Sequence, residues 1–253
     1  MTATVSGLYR FPVKSMLGER LATVSLSPEA IFPGDREFAI VHKTSAWDST
    51  APDWRPKTDF VNLSRVEKLA NLRALLDEDK HLEICRAGKR VVGGDPASSA
   101  GRAVIEQFLS AFLGDVANGP FRLAQARENS LTDVPVPFVS LINVESARYL
   151  ERVVRQPVDP ARFRGNIVFE GLPAWGEFDW IGEEIVIGTA RLKVEERIGR
   201  CAATGVNPRT AQRDLNIVRT LSEALGHTDM GVYASVKEPG TIRPGDTIAK
   251  VRV

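Results

Sequence analysis

The chain has 253 residues, 43% of them hydrophobic and 26% charged, which suits one large globular domain or two small ones. Its 33 basic and 32 acidic side chains leave a net charge of +1, so the lopsided balance of a nucleic-acid or membrane-surface binder is absent. No apolar run reaches the roughly 18 residues of a membrane helix, and the N-terminus lacks a secretory pattern, so a cytoplasmic chain that crosses no membrane is expected.

In chain order, residues 3–26 read as extended, with Leu21, Val24 and Leu26 alternating against small polar residues. Pro33-Gly34-Asp35 is a turn, and Phe38, Ile40 and Val41 mark the strand after it. The polar stretch 46–57 reads as a loop. Residues 81–92 read as two strands around an Ala87-Gly88 turn. The period then changes. Val104, Ile105, Phe108, Leu109, Phe112 and Leu113 share one helical face, with Ser98 or Ser99 as N-cap and Gly114 as the stop. A second helix is expected in VESARYLERVV, closing near Pro157, and a third, weaker one in IVRTLSEALG. The last third is mostly extended: a short buried strand in RGNIVFEGL, a hairpin turning at Gly188, and short strands with turns at Pro239-Gly240 and Pro244-Gly245. Many short strands and few helices predict an α+β chain that is mainly β and rich in β-barrel. A boundary falls within 95–125, where helix interrupts two strand-rich halves, and is drawn as 1–95 and 96–253.

The two cysteines, Cys85 and Cys201, lie far apart. No CxxC pair exists, which argues against a zinc ribbon, an iron–sulfur cluster and a thioredoxin motif. Cys85 sits inside an alternating run and reads as structural. Cys201 follows Arg200, which favours a thiolate. It precedes Ala202, Ala203, Thr204 and Gly205, small enough to admit a bulky group, at a strand end where loops begin. The bland alternative is a small buried core residue. A Cys–His nucleophile would need a base, and only His227 among the three histidines lies in a suitable loop; a part in a helix C-cap is an equally good account of it. Thiolate ligation of a soft metal needs no base if another molecule supplies the remaining ligands. Such a carrier molecule would be anionic, which directs attention to basic residues at strand ends. These are Lys14 with Ser15, Arg36 after its turn, and Arg162, Arg164 and Asn166 entering a buried strand; a solvated surface charge is the ordinary alternative for each.

The stretches YRFPVKS, GDREFAIV, RFRGNIVFEG, IGRCAATGVNPRT and PGTIRPGDTI, in that order and spread over nearly the whole chain, resemble the MOSC family and, within it, the amidoxime-reducing branch with its bacterial counterparts. The resemblance implies a MOSC β-barrel domain with a smaller N-terminal β-rich domain. It also implies a molybdenum cofactor, a Mo-pyranopterin, with Cys201 as the protein's ligand to the metal. Lys14, Ser15 and Arg36 match the positions that hold the cofactor's phosphate end. Arg164, Asn166 and Arg200 match its pterin- and metal-side contacts. Thr204, Asn207 and Thr210 fall in the loop that lines the pocket. Two departures stand out. Position 207 is often aspartate in relatives, and Pro135-Val136 replaces a hydroxyl pair ahead of Pro137-Phe138.

What this implies is an oxidoreductase that reduces small N-hydroxylated or related N–O substrates. Its electrons would come from a separate ferredoxin- or cytochrome-type protein with its reductase. The alternative is a non-catalytic carrier of molybdenum cofactor, or of sulfur on Cys201. A third reading is a metal-free hydrolase or transferase using His227.

Overall fold

The computed structural model describes all residues except 1, 43–44, 46, 48–53, 115–116, 118, 127–130 and 252–253. Strands β1 (Ala3–Arg10), β2 (Glu19–Leu21), β3 (Val24–Leu26) and β4 (Phe38–His42) come first, followed by β5 (Leu72–Leu76), β6 (Leu82–Arg86), β7 (Lys89–Gly94) and helix α1 (Ser99–Leu113). Strands β8 (Phe121–Gln125) and β9 (Val139–Asn143) lead into helix α2 (Val144–Val154) and β10 (Ile167–Glu170). The remainder is β11 (Glu184–Ile187), β12 (Ala190–Gly199), helix α3 (Ile217–Leu225), β13 (Asp229–Glu238), β14 (Gly240–Ile242) and β15 (Thr247–Lys250). The loop expected over 46–57 lies largely outside the described residues.

Seven strands close into a barrel in the order β1, β10, β9, β13, β12, β11, β15 and back to β1. Period-two alternation drives it. Ala190, Leu192 and Val194 of β12 point inward beside Ala234 and Val236 of β13, and Ile185 and Ile187 of β11 join them. Phe169 stacks on Trp180, with ring centroids 5.2 Å apart, to fill the interior. The neighbours of inward residues face out. Ile142, Val168 and Met230 pack there against Leu150 of α2 and Leu221 of α3, so the barrel wall carries a helical layer. The pairing of β9 with β10 is parallel, which a tight hairpin cannot connect; α2 makes the crossover. Strand β1 is shared: Leu8 pairs with Ile167 on one edge and with Leu21 on the other.

The second unit is a β5–β6–β7 meander beside a β4–β8 pair. Ala87 (φ 50°) and Gly88 (φ 76°) make its two-residue hairpin turn, where both central positions need left-handed backbone. Helix α1, capped by the Ser98 hydroxyl on the Gly101 N–H at 3.0 Å, lays Ile105, Leu109 and Leu113 onto this sheet. The segment between β1 and β2 ties the two units together. Lys14 N–H donates to Phe38 O at 2.7 Å, and Leu17 N–H to Leu72 O at 2.8 Å. The result is α+β and mainly β, as the strand count indicated.

Candidate functional site

A cleft of about 380 Å³ opens between the barrel and the second unit, the kind of junction where ligand sites form. Lys14, Ser15, Arg36, Arg164, Asn166, Arg200, Cys201 and Thr204 all line it, drawn from segments up to 190 positions apart. Asn207 and Thr210 are not in its lining. The Asn207 amide instead donates to Asp214 at 2.6 Å, and its carbonyl accepts from Arg209 N–H at 2.8 Å, which shapes the loop that carries them. His227 is outside the lining too; its Nδ1 accepts from Asp229 N–H at 3.1 Å.

One end of the cleft is cationic. Lys14 is buried, and its Nζ donates to Leu131 O at 2.7 Å and Asp133 Oδ1 at 2.5 Å. Burial pushes its pKa below the ordinary lysine value, with Asp133 offsetting this only in part. The Arg36 and Arg164 guanidiniums both lie against the Phe11 ring, 4.6 and 4.4 Å from its centroid. Arg36 also donates to Asp35 and, at 2.9 Å, to Arg164 O. Burial and then the charge of Arg36 bring Arg164 down to about 9. Its Nη1 reaches Met16 O at 2.5 Å, while Nη2 is buried with no hydrogen-bond partner among the described residues. The Ser15 hydroxyl accepts from Leu63 N–H at 3.0 Å and keeps its own proton to donate.

At the other end, Cys201 is half-buried directly after β12, its Sγ 3.5 Å from Ser64 Oγ. Burial alone pushes the thiol up. The Ser64 hydroxyl, the Ala203 N–H and the charge of Lys57 outweigh it and leave the thiol more acidic than usual. The adjacent arginine is drawn to the Cys201 charge and has a structural task besides. Arg200 Nε donates to Met230 O at 2.8 Å and Nη1 to Phe163 O at 2.9 Å, so its fork ties three chain segments together. Thr204 folds back on Cys201 O at 2.9 Å and sets the turn after the thiol. Asn166 accepts from the Ser140 hydroxyl at 2.7 Å and donates to Tyr9 O at 3.3 Å, which staples the barrel wall.

Reasoning from sequence missed Lys57, Ser64 and Asp133, which carry no motif of their own, and the Phe138–Tyr233 pair, stacked 5.4 Å apart in the wall. It also passed over Arg197, whereas Arg162, named beside Arg164, does line the cleft. The lining holds seven basic side chains (Lys14, Arg36, Lys57, Arg162, Arg164, Arg197 and Arg200) against Asp35, Asp133 and Glu196. That excess suits an anion of more than one charge. Among the described residues, no three His, Cys, Asp or Glu side chains gather into a metal site. A metal at Cys201 therefore has to draw its other ligands from a bound molecule. A phosphate-bearing dithiolene carrier of molybdenum fits that donor set: one thiol, a cationic end, and an arginine nitrogen with nothing to bond. No described helix is long and apolar enough to cross a membrane.

Residues 2–115 match the MOSC N-terminal beta barrel domain and residues 135–249 the MOSC domain. The chain is 34% identical over 125 residues to mitochondrial amidoxime-reducing component 1 of Xenopus laevis, covering 45% of this chain and 36% of that protein. It is 24% identical over 271 aligned positions to molybdenum cofactor sulfurase of Danio rerio, covering 92% of this chain and 32% of that protein. It therefore spans about a third of the length of either relative. The crystal structure of the YuaD protein from Bacillus subtilis covers 98% of this chain and 94% of its own at a TM-score of 0.46 and 16% identity.

Proposed function

The chain belongs to the MOSC family, and on that premise we propose that it is a molybdenum-cofactor-binding oxidoreductase that reduces N-hydroxylated or related N–O compounds. The observation that carries this reading is the convergence of Lys14, Arg36 and Arg164 on a cleft that also presents the acidified thiol of Cys201. When bound, the cofactor supplies a two-electron redox centre able to cleave an N–O bond. The chain's own part is to bind, orient and tune. Lys14, Arg36 and Arg164 hold the phosphate end, and Ser15 adds a hydroxyl donor. Cys201 gives the thiolate, a form that Ser64, the Ala203 N–H and Lys57 favour. Arg200 fixes the loop on which that thiolate sits. Phe138 and Tyr233 exclude water from one wall. Asn207 and Thr210 act behind the pocket, through the loop, rather than on the cofactor.

The names of the two curated relatives, amidoxime-reducing and molybdenum cofactor sulfurase, support both halves of the reading. The electron donor in this reading is a ferredoxin- or cytochrome-type protein with its reductase. A carrier of cofactor or sulfane sulfur is the second reading, favoured by the accessible position of the acidified thiol.

Protein produced in a cofactor-competent host should carry about one molybdenum and one pterin per chain. It should turn over an N-hydroxylated amidine with a reduced donor, and Cys201→Ala should abolish both metal and turnover. A carrier would pass intact cofactor to an apo-enzyme and show no turnover with any donor. Protein with neither metal nor pterin would overturn the oxidoreductase and the cofactor-carrier readings and leave only a carrier of sulfane sulfur.

A further inference from the structure

Lys14 and Asp133 form an ion pair whose two ends differ in kind. The Lys14 side chain is 7% exposed and the Asp133 side chain 49%. The base is fixed in the wall while the acid lies at the surface of the cleft. Both acceptors on Lys14 Nζ come from one short segment, Leu131 O and Asp133 Oδ1. The backbone of that segment is tied down independently: Leu131 N–H donates to Arg36 O at 2.9 Å, the Thr132 hydroxyl to Val134 O at 2.7 Å, and Trp54 Nε1 to Thr132 O at 3.2 Å. The Asp133 side chain is therefore free to turn away without unravelling the loop.

The charges around it point the same way. Lys57 and Arg36 act on Asp133 in addition to Lys14, and Arg164 faces Lys14 as well. The other acid at this end, Asp35, is already bound by Arg36 and by Phe11 N–H at 2.8 Å. Among the described residues Asp133 is thus the one displaceable carboxylate beside these four cations. The unpartnered Nη2 of Arg164 is a further donor that neither Asp35 nor Asp133 satisfies.

Resting on the anion-binding reading above, we propose that Asp133 is an internal competitor for the cleft's ligand: a phosphate group reaches Lys14 by displacing the Asp133 carboxylate. A dianion competes for this cluster better than a monoanion, because it meets several cations at once while Asp133 brings one charge. The carboxylate is already half-exposed, so water can take it up where it stands, and the pull of Lys14, Lys57 and Arg36 that it gives up passes to the incoming dianion. Asp133 then sets how strongly anionic a ligand must be to enter, and it keeps Lys14 paired until one does.

Inorganic phosphate is the probe. The wild type, Asp133→Asn, Asp133→Ser and Asp133→Glu are titrated at neutral pH by calorimetry and by tryptophan emission, with Trp54→Phe subtracting the tryptophans remote from the loop. Asp133→Asn and Asp133→Ser should bind phosphate about tenfold more tightly than wild type, as expected when one like charge leaves a partly screened site. Asp133→Glu should match wild type. Phosphate should change Trp54 emission in the wild type, and Arg164→Gln should abolish binding in every background. Unchanged or weaker phosphate binding in both neutral variants, with Arg164→Gln still effective, overturns the competitor role and leaves the anion cleft standing. Binding heat with no Trp54 response in the wild type places phosphate elsewhere and also overturns the role. No phosphate binding in any variant overturns the role and the anion cleft together. Tighter binding in the neutral variants, in protein that retains no pterin when made in a cofactor-competent host, upholds the competitor role and sinks the cofactor reading.

Discussion

Ser15, Arg36 and Arg164 all hold left-handed backbone, with φ of 75°, 48° and 53°. Each such non-glycine residue costs about 1 kcal/mol and persists only where its surroundings over-determine it. The surroundings here are visible. Leu63 N–H holds the Ser15 hydroxyl, Asp35 and Arg164 O hold the Arg36 fork, and Met16 O with the Phe11 ring holds Arg164. Strain gathered on three residues of one cleft marks a site shaped for binding, and no propensity scale reveals it. Another cation of the cleft shows what pairing contributes. Arg162 is almost fully buried and donates to both oxygens of Asp214, at 2.7 and 2.9 Å. Removing one partner of a buried pair costs about 3 to 5 kcal/mol. Asp214 is a third exposed, so screening reduces the expected loss for Asp214→Asn to about 2 kcal/mol at pH 7, read by urea unfolding. The sign with pH is fixed. Burial raises the Asp214 carboxyl, but Asn207 and Arg162 outweigh it and hold it below its ordinary value. The stabilisation is therefore complete above the unfolded pKa of about 3.9 and fades as pH falls through the lower folded value. The gap between wild type and variant should close in acid. A gap that stays constant down to the acid limit would mean that the Asp214 charge is not its source.

At the scale of elements, strands and turns with a single period were legible in the sequence. The Ala87-Gly88 hairpin, the Ser98 cap, all three helices and the inward set of β12 read correctly because local chemistry alone fixes them. The breaks in period did not. Pairing of β12 with β13 shifts between Val194 and Glu196 and again between Arg197 and Gly199. These bulges bring Glu196 and Arg197 into the cleft lining. A bulge depends on the partner strand, so the alternating pattern of one strand conceals it. The same limit bears on Asn207 and Thr210: the resemblance put their loop along the pocket, while the turn made by Thr204 and Asn207 leaves neither in the cleft lining. Gly231 is the element-level test. Its φ is +76°, and a Cβ there would sit 2.4 Å from Leu141 O on β9 and 2.6 Å from Ile142 Cδ1. Gly226 has φ +72° but open space around it. Gly226→Ala should lose about 1 kcal/mol from backbone conformation alone. Gly231→Ala should lose about 3 kcal/mol or more, because a backbone carbonyl of the barrel has to move as well. Equal losses in urea unfolding would show that β13 yields without cost and that the close approach is not what demands glycine.

At the scale of the molecule, the cleft exists because the chain's first strand belongs to the barrel made by residues far downstream. Strand β1 pairs with β10 on one edge and with β15 on the other, and β2 continues that second edge. Eight residues thus close a barrel whose other six strands begin at Val139. The next segment, 11–18, leaves the barrel and binds the second unit through Phe38 and Leu72, carrying Lys14 and Ser15 into the gap on the way. Composition and spacing do not display this, since strand closure is a pairing between positions more than 150 apart. Its consequence is testable. A chain lacking residues 1–10 keeps every residue of the MOSC domain match over 135–249 but leaves the edges of β10 and β15 unpaired. It also loses Ala3, Val5 and Leu8 from the barrel interior. Open hydrophobic edges pair with other chains, so the truncated protein should aggregate or elute as oligomers, with cooperative unfolding abolished. A synthetic peptide of residues 1–12, added during refolding, should restore monomeric elution by taking the vacant place in the sheet. If the truncated chain stays monomeric and unfolds in a single transition near the wild-type midpoint, the barrel closes without β1. Lys14 and Ser15 would then owe their position to the second unit alone.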